Sequence, residues 1–203
     1  MISNGEGDFH MKKKGTLKTF LVMLVLAAGI LAGYYVINNR AEEKVEAQYV
    51  ETEKDKMLAK NIEADYPATP REVVKLYSRI LKCIYNETLT EKETEKLMKQ
   101  ARLLYDEELL LENPEQDNLN ALNEERKQYE TEKKTISSVA LEKADSVITW
   151  TDAGKEYASI VVCYTVKENV TYTRTYEKFL LRRDSEGRYK ILGWGMAEEA
   201  DME

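Results

Sequence analysis

The side chains that could move protons, attack a carbonyl or hold a metal are few in this chain and poorly grouped. The only histidine is His10, and no other side chain has an ordinary pKa close to neutrality. Cys83 and Cys163 fall inside apolar segments at no metal-ligand spacing. They read as small buried hydrophobes, and a disulfide between them is neither required nor excluded. There is no GxSxG, no cysteine paired with histidine, no glycine-rich phosphate loop and no DxDxDG order, so the usual signatures of acyl transfer, nucleotide binding and calcium binding are missing. Acid-base chemistry would fall to a carboxylate or tyrosine shifted by burial. Asp145 and Glu177, both placed on strands, are the candidates to inspect, against the plainer reading of each as a surface-facing strand charge. No catalytic residue, metal ligand or cofactor is expected.

Recognition has better material than catalysis. In TYTRTYEKF, Tyr172, Arg174 and Tyr176 project from one side of a strand and Thr171, Thr173 and Thr175 from the other. Tyrosine and arginine anchor interfaces, so this row could dock a protein partner or a second copy of the chain. The competing reading is internal: aromatic strand residues are usually core, and an arginine can stack between two tyrosines with no partner present. Trp150 and Trp194 divide in the same way between core and pocket lining.

Charge and hydropathy place these residues relative to a membrane. Residues 1–18 carry four lysines against Glu6 and Asp8, so within an overall charge of −7 the rest of the chain carries −9. An acidic domain without a basic stripe argues against a nucleic-acid partner. The run from Phe20 to Ile37 contains eighteen residues and no charge. As a helix it spans roughly 27 Å, close to the hydrocarbon thickness of a bilayer. Ten of its residues are Phe, Leu, Ile or Val, which together favour insertion by roughly 3 to 6 kcal/mol. Tyr34 and Tyr35 sit at its distal end, and Lys12, Lys13, Lys14 and Lys18 before its proximal end. The positive side stays in the cytoplasm, so the expectation is a single-pass anchor with an extracytoplasmic carboxyl-terminal domain. The alternative is a signal peptide cut after Ala32 or Gly33. Gly29 and Gly33 form a GxxxG that could pair two such helices. Asn86 and Asn169 begin glycosylation sequons, which a bacterial source would make chance matches, and the lysine-rich anchor favours a bacterium.

The elements that position the candidates follow from periodicity. Residues 40–65 include 13 charges and neither Gly nor Pro, and read as a helical stalk roughly 39 Å long. Thr69, Pro70 and Glu72 spell a capping box for a helix over 70–85, and Thr90 with Glu93 spells another. The second helix is expected to carry its stripe from Leu97 through Leu104 and Tyr105 to Leu109, ending before Pro114. A third, over 115–134, has only a thin stripe at Leu119, Leu122 and Tyr129, which predicts an outside position. The period then changes to two. Turn signals at DAGK, KEN and DSEG divide four antiparallel strands over 139–151, 156–167, 170–183 and 188–196. The second strand is apolar on both faces and should be central. The predicted fold class is α+β: a cytoplasmic tail (1–18), a transmembrane helix (19–39), a charged helical stalk (40–68), a domain of about three helices on a curved four-stranded antiparallel sheet (69–197), and an acidic tail (198–203).

The closing FLLRRDSEGRYKILGW, with its turn of Asp, Glu and Gly before an aromatic, an alternating apolar pair and a Trp, resembles the last hairpin of nuclear transport factor 2-like domains. That resemblance covers residues 69–196. It implies a sheet wrapped around a long helix as a cone, whose mouth holds a ligand or, in catalytic members, a His or Asp dyad. His10 lies in the tail and cannot serve such a dyad. The whole layout is also similar to single-span bacterial membrane proteins of unknown function and, more distantly, to the inner-membrane assembly subunit of type IV secretion systems. The expected function is a non-enzymatic, membrane-anchored binding or interaction domain that takes a protein partner or a small apolar ligand. The alternatives are an assembly scaffold of a secretion or conjugation machine, and a cone-pocket isomerase or hydrolase, which two converging carboxylates in a deep pocket would favour.

Overall fold

The computed structural model describes residues 51–202. The run from Phe20 to Ile37, its lysine collar and residues 40–50 lie outside the described residues. Among those described, no helix is long and apolar enough to cross a membrane.

The helices begin where capping chemistry tells them to. Helix α1 (Glu53–Ala59), α2 (Pro70–Asn86) and α3 (Glu91–Arg102) each start with a threonine whose hydroxyl accepts a backbone N–H three residues on, while the carboxylate there accepts the threonine's own N–H. The α2 stripe is as broad as its sequence implies, with Val73, Tyr77, Ile80 and Ile84 all buried. Beyond α3 the expected second helix divides. Leu104 and Tyr105 leave helical geometry to pair with Ile191, with the Ile191 N–H donating to the Leu104 carbonyl at 2.8 Å and the Asp106 N–H to the Ile191 carbonyl at 2.8 Å. Asp106 then caps a separate short helix, α4 (Glu107–Glu112). The apolar stripe from Leu97 to Leu109 is buried, but on two elements. Helix α5 (Glu115–Glu132) has no buried residue, as its thin stripe predicts.

The sheet contains β1 (Lys134–Leu141), β2 (Ile148–Asp152), β3 (Lys155–Glu168), β4 (Thr171–Arg183) and β5 (Tyr189–Ala197), with order β1-β3-β4-β5 and β2 also paired to β3. All pairings are antiparallel. The strand expected over 139–151 is thus two strands, placed one after the other along β3. Between them Glu142 turns inward, its N–H donating to the Val161 carbonyl at 3.0 Å and its carbonyl accepting from Arg71 Nε at 3.1 Å. A turn then closes between Lys143 and Ser146. β3 is the central strand, buried continuously from Ala158 to Tyr164. The β2–β3 hairpin turns at Ala153 and Gly154, whose φ values of 48° and 78° supply the two left-handed positions of a type I′ turn.

The architecture is α+β, with the α-helices packed on one face of a curved antiparallel sheet. The core lies between α2 and the inner side chains of β3, β4 and β5, among them Ile160, Val162, Phe179, Leu181 and Ile191. One correction concerns residues 51–68, the outer part of the expected stalk. Met57 and Ile62 are 2% and 1% exposed and belong to the main core. Gln100 Nε2 donates to the Lys60 carbonyl at 2.8 Å, and the Tyr66 hydroxyl donates to the Tyr189 carbonyl at 2.8 Å. The high charge of α1 reflects its outer face, where Glu53 pairs with Arg79 and Lys54 with Glu93. Replacing Ile62 by Ala should therefore cost the full chain about 2–5 kcal/mol of stability. Urea unfolding followed by near-ultraviolet circular dichroism measures this, and an unchanged midpoint would return the segment to the status of a spacer.

Candidate functional site

The curved sheet and the helices do not close on each other everywhere. Between α2, α5 and the inner faces of β3, β4 and β5 lies a cavity of about 290 Å³. The period-two rule decides which strand residues reach it. Cys163 pairs with Tyr176 and Thr165 with Arg174 on the outer face, so Tyr164, Val166, Thr175 and Glu177 must point inward. From β5, Trp194 joins them, stacked on Phe179 at 5.7 Å and lying 5.6 Å from the Tyr77 ring and 5.9 Å from the Tyr105 ring. Helix α2 contributes Tyr77 and Tyr85, and α5 contributes Leu122, Glu125 and Tyr129.

Most polar atoms in this wall have partners. The Tyr77 and Tyr105 hydroxyls meet at 3.3 Å, and the Tyr164 hydroxyl meets Ser78 Oγ at 2.8 Å. Tyr85 donates to Glu125 Oε2 at 2.5 Å, and its ring lies 4.6 Å from that of Tyr129. Burial pushes the Tyr77, Tyr85 and Tyr164 phenols well above their ordinary values, so they are neutral donors at any physiological pH. Glu177 is different: it makes no hydrogen bond and no ion pair with any described residue. Burial, and then the nearby Glu125 charge, raise its pKa above the ordinary carboxylate value. Among the described residues, no Lys, Arg or His lines the cavity.

Helix α5 is the outer wall, held at a few points. Arg126 Nε donates to the Ile84 carbonyl at 2.9 Å and its Nη1 to Thr94 Oγ1 at 2.7 Å. Nearer the start of the helix, Arg102 Nη1 donates to the Asn113 carbonyl at 2.7 Å. At the opposite end of the sheet, Arg182 donates to both carboxylate oxygens of Asp106 and, at 2.6 Å, to Glu108.

The residues singled out by sequence are not brought together. Tyr172, Arg174 and Tyr176 do share the outer face of β4, with Tyr172 57% exposed. Arg174 lies 3.5 Å from Glu199, the Tyr176 hydroxyl donates to the same carboxylate at 2.8 Å, and Lys178 lies 3.9 Å from Asp201. The acidic tail, a short 3-10 turn over Glu199–Met202, folds back onto this row. Trp150 is also on the outer face, 40% exposed and stacked on Tyr157 at 5.5 Å, beside a shallow apolar hollow shared with Ile148 and Leu180. Only Trp194 lines the inner cavity. Of the two carboxylates, Glu177 faces it, whereas Asp145 lies exposed in the turn between β1 and β2 rather than on a strand. Cys83 and Cys163 are buried and unbridged. The Asn86 side chain is tied to both the N–H and the carbonyl of Ile136. Among the described residues no group of three His, Cys, Asp or Glu side chains could hold a metal ion.

Sequence reasoning passed over Tyr85, Glu125 and Tyr129. Their signal was present: Tyr129 falls on the thin α5 stripe, and Glu125 is one turn before it.

Residues 11–194 match the family described as Domain of unknown function (DUF6715), and the chain belongs to that family. The matched stretch takes in the run from Phe20 to Ile37 together with the cavity. No curated protein matches the chain.

The isolation of Glu177 has a measurable consequence. With its folded-state pKa raised, the folded chain binds more protons than the unfolded chain between the ordinary value of 4.5 and the raised one, so stability falls as pH rises through that interval. Glu177→Gln removes this loss. Thermal melts should show the variant more stable than the parent at pH 7 and equal to it at pH 4. Parallel curves at both pH values would mean that the carboxylate is solvated.

Proposed function

We propose that the chain is a binding protein anchored to a membrane by the helix from Phe20 to Ile37, whose extracytoplasmic domain holds a small ligand between its helices and the concave face of its sheet. The observation that carries this reading is the aromatic-lined cavity. A cavity between helices and a concave sheet face is also what the resemblance to nuclear transport factor 2-like cones implies. Its volume, near the lower end of ligand pockets, suits a small organic molecule. The anchor reading draws on the length, apolarity and flanking lysines of the run, and on a family match that covers run and domain together. Activity without catalysis is favoured because the inward groups are chiefly neutral tyrosines already engaged with each other or with Ser78 and Glu125.

A second reading has one observation behind it. Glu125 and Glu177 line the same cavity, and the raised pKa of Glu177 is what a general acid requires. A cone-pocket isomerase or hydrolase would use them as the proton-transferring pair. It differs from a binding protein in returning a chemically altered ligand.

Two measurements test the main reading. Trypsin added to intact cells should digest the domain while the membrane-embedded run stays in the pellet after carbonate washing. Full protection of the domain until lysis would place it in the cytoplasm. For the cavity, Trp150→Phe leaves Trp194 as the single indole reporter in the full chain. Titration with choline or with 3,3-dimethylbutan-1-ol should shift its emission saturably, and Ala121→Phe, which fills the α5 side of the cavity, should weaken that response about tenfold or more, as expected when overpacking excludes a ligand. Silence with both probes would end the ligand-binding reading.

A further inference from the structure

A carboxylate taken out of water is held charged only if something compensates it. Around Glu177 the described residues supply no cation, no N–H and no hydroxyl within bonding distance, and the charge that acts on it, Glu125, has the same sign. Glu125 itself takes the Tyr85 hydroxyl at 2.5 Å and is exposed at the rim. The walls around the two carboxylates are aromatic: Tyr85 and Tyr129 paired at 4.6 Å on the helix side, Trp194 against Tyr77 and Tyr105 on the other. Ring quadrupoles attract a diffuse positive charge and repel a negative one. With no Lys, Arg or His among the described residues that line the cavity, phosphates, sulfates and carboxylates are disfavoured as ligands. Among the described residues no group of three His, Cys, Asp or Glu side chains could hold a metal ion, so a divalent cation here would have to draw most of its ligands from water.

We infer that the cavity takes a small organic ammonium ion, with the Glu177 carboxylate as its counter-ion and the Tyr85, Tyr129 and Trp194 rings as its walls. The inference rests on the reading of the cavity as the ligand site. It adds the charge of the ligand and the residue that selects it. Glu125 at the rim draws the cation in, and Glu177, further inside, pairs with it once water has been shed. Glu177 is half-buried, without a hydrogen-bond or ion-pair partner among the described residues, and a bound cation would supply the counter-charge that these residues do not.

Choline and 3,3-dimethylbutan-1-ol have the same shape and differ by one charge, nitrogen against carbon. In the full chain carrying Trp150→Phe, held in the uncharged detergent dodecyl maltoside, the Trp194 titration should give choline at least about a tenfold lower dissociation constant than the alcohol, the scale of a desolvated cation on an aromatic and anionic wall. Glu177→Gln should erase that difference, and a saturable response of the variant to the alcohol, together with an unchanged circular dichroism spectrum, shows that it is folded. Equal affinities in the parent, or a choline preference that survives Glu177→Gln, would overturn the ammonium inference and leave the binding reading standing. No response to either molecule would remove both.

Discussion

The domain depends on one buried ion pair that fastens the helical layer to the sheet. Asp106 lies at the break between α3 and α4, where three demands meet: its carboxylate receives the Arg182 guanidinium through both oxygens and caps α4, while its N–H extends the β5 ladder. Both side chains of the pair are nearly buried. The two neighbouring carboxylates, Asp106 and Glu108, hold Arg182 more firmly protonated than an ordinary arginine. Such a pair adds little net stability over an apolar substitute, but breaking it strands a charge at a cost of about 3–5 kcal/mol. Its role is to fix registry. Tyr105 directly precedes Asp106, and its ring lies 5.9 Å from both Tyr77 and Trp194 in the wall of the cavity.

Rigidity is therefore concentrated at one end. Around Arg182 and Asp106 the α3–α4 connection hydrogen-bonds directly to β5, and Lys190 adds a 2.6 Å bond to the Leu103 carbonyl while its ammonium rests 4.4 Å from the Tyr66 ring. At the other end α5 covers the cavity without burying a single residue, held by Arg126, one ring pair and the Tyr85–Glu125 bond. Elements with few buried apolar contacts open at the lowest free energy. Helix α5 is thus the cavity wall with the weakest apolar anchoring, and the polar atoms that hold it in place include one of the two cavity carboxylates.

Much of this was legible in the sequence, because capping boxes and alternation are local. Thr69 with Glu72 and Thr90 with Glu93 fixed two helix starts, DAGK fixed a hairpin, and the double-sided apolarity of β3 fixed its central place. The failures were all cases in which a distant partner overrides a local pattern. Met57 and Ile62 look like stray apolar residues in a charged stalk until α2 and α3 are placed beside them. The stripe from Leu97 to Leu109 obeys helical spacing, yet Ile191 captures the backbone at Leu104 and Asp106. Residues 139–151 read as one strand, although Glu142 is drawn into the fold through Arg71. Trp150 has the composition of a core residue and sits outside because its strand register follows Ser159 and Tyr157. For the site, alternation from Tyr172 already puts Glu177 on the face opposite Arg174. What sequence could not supply is the vacancy it faces, since a void belongs to the packing of several elements.

The two faces of β4 settle their charges in different ways. On the outer face, Arg174 and Lys178 would be free cations, but the acidic turn at Glu199 and Asp201 lies against them, so the chain supplies its own counter-ions within reach of solvent. These contacts are exposed, screened by salt and weak, and a protein partner carrying its own carboxylates could displace them at little cost. On the inner face, Glu177 has no such counter-ion among the described residues, and the cavity it faces is lined by six aromatic side chains. An exposed charge can wait for a partner without penalty. A half-buried one lowers the stability of the fold until it is matched, and for that reason the proposed ligand site is placed on the inner face of β4 rather than on its more conspicuous tyrosine and arginine row.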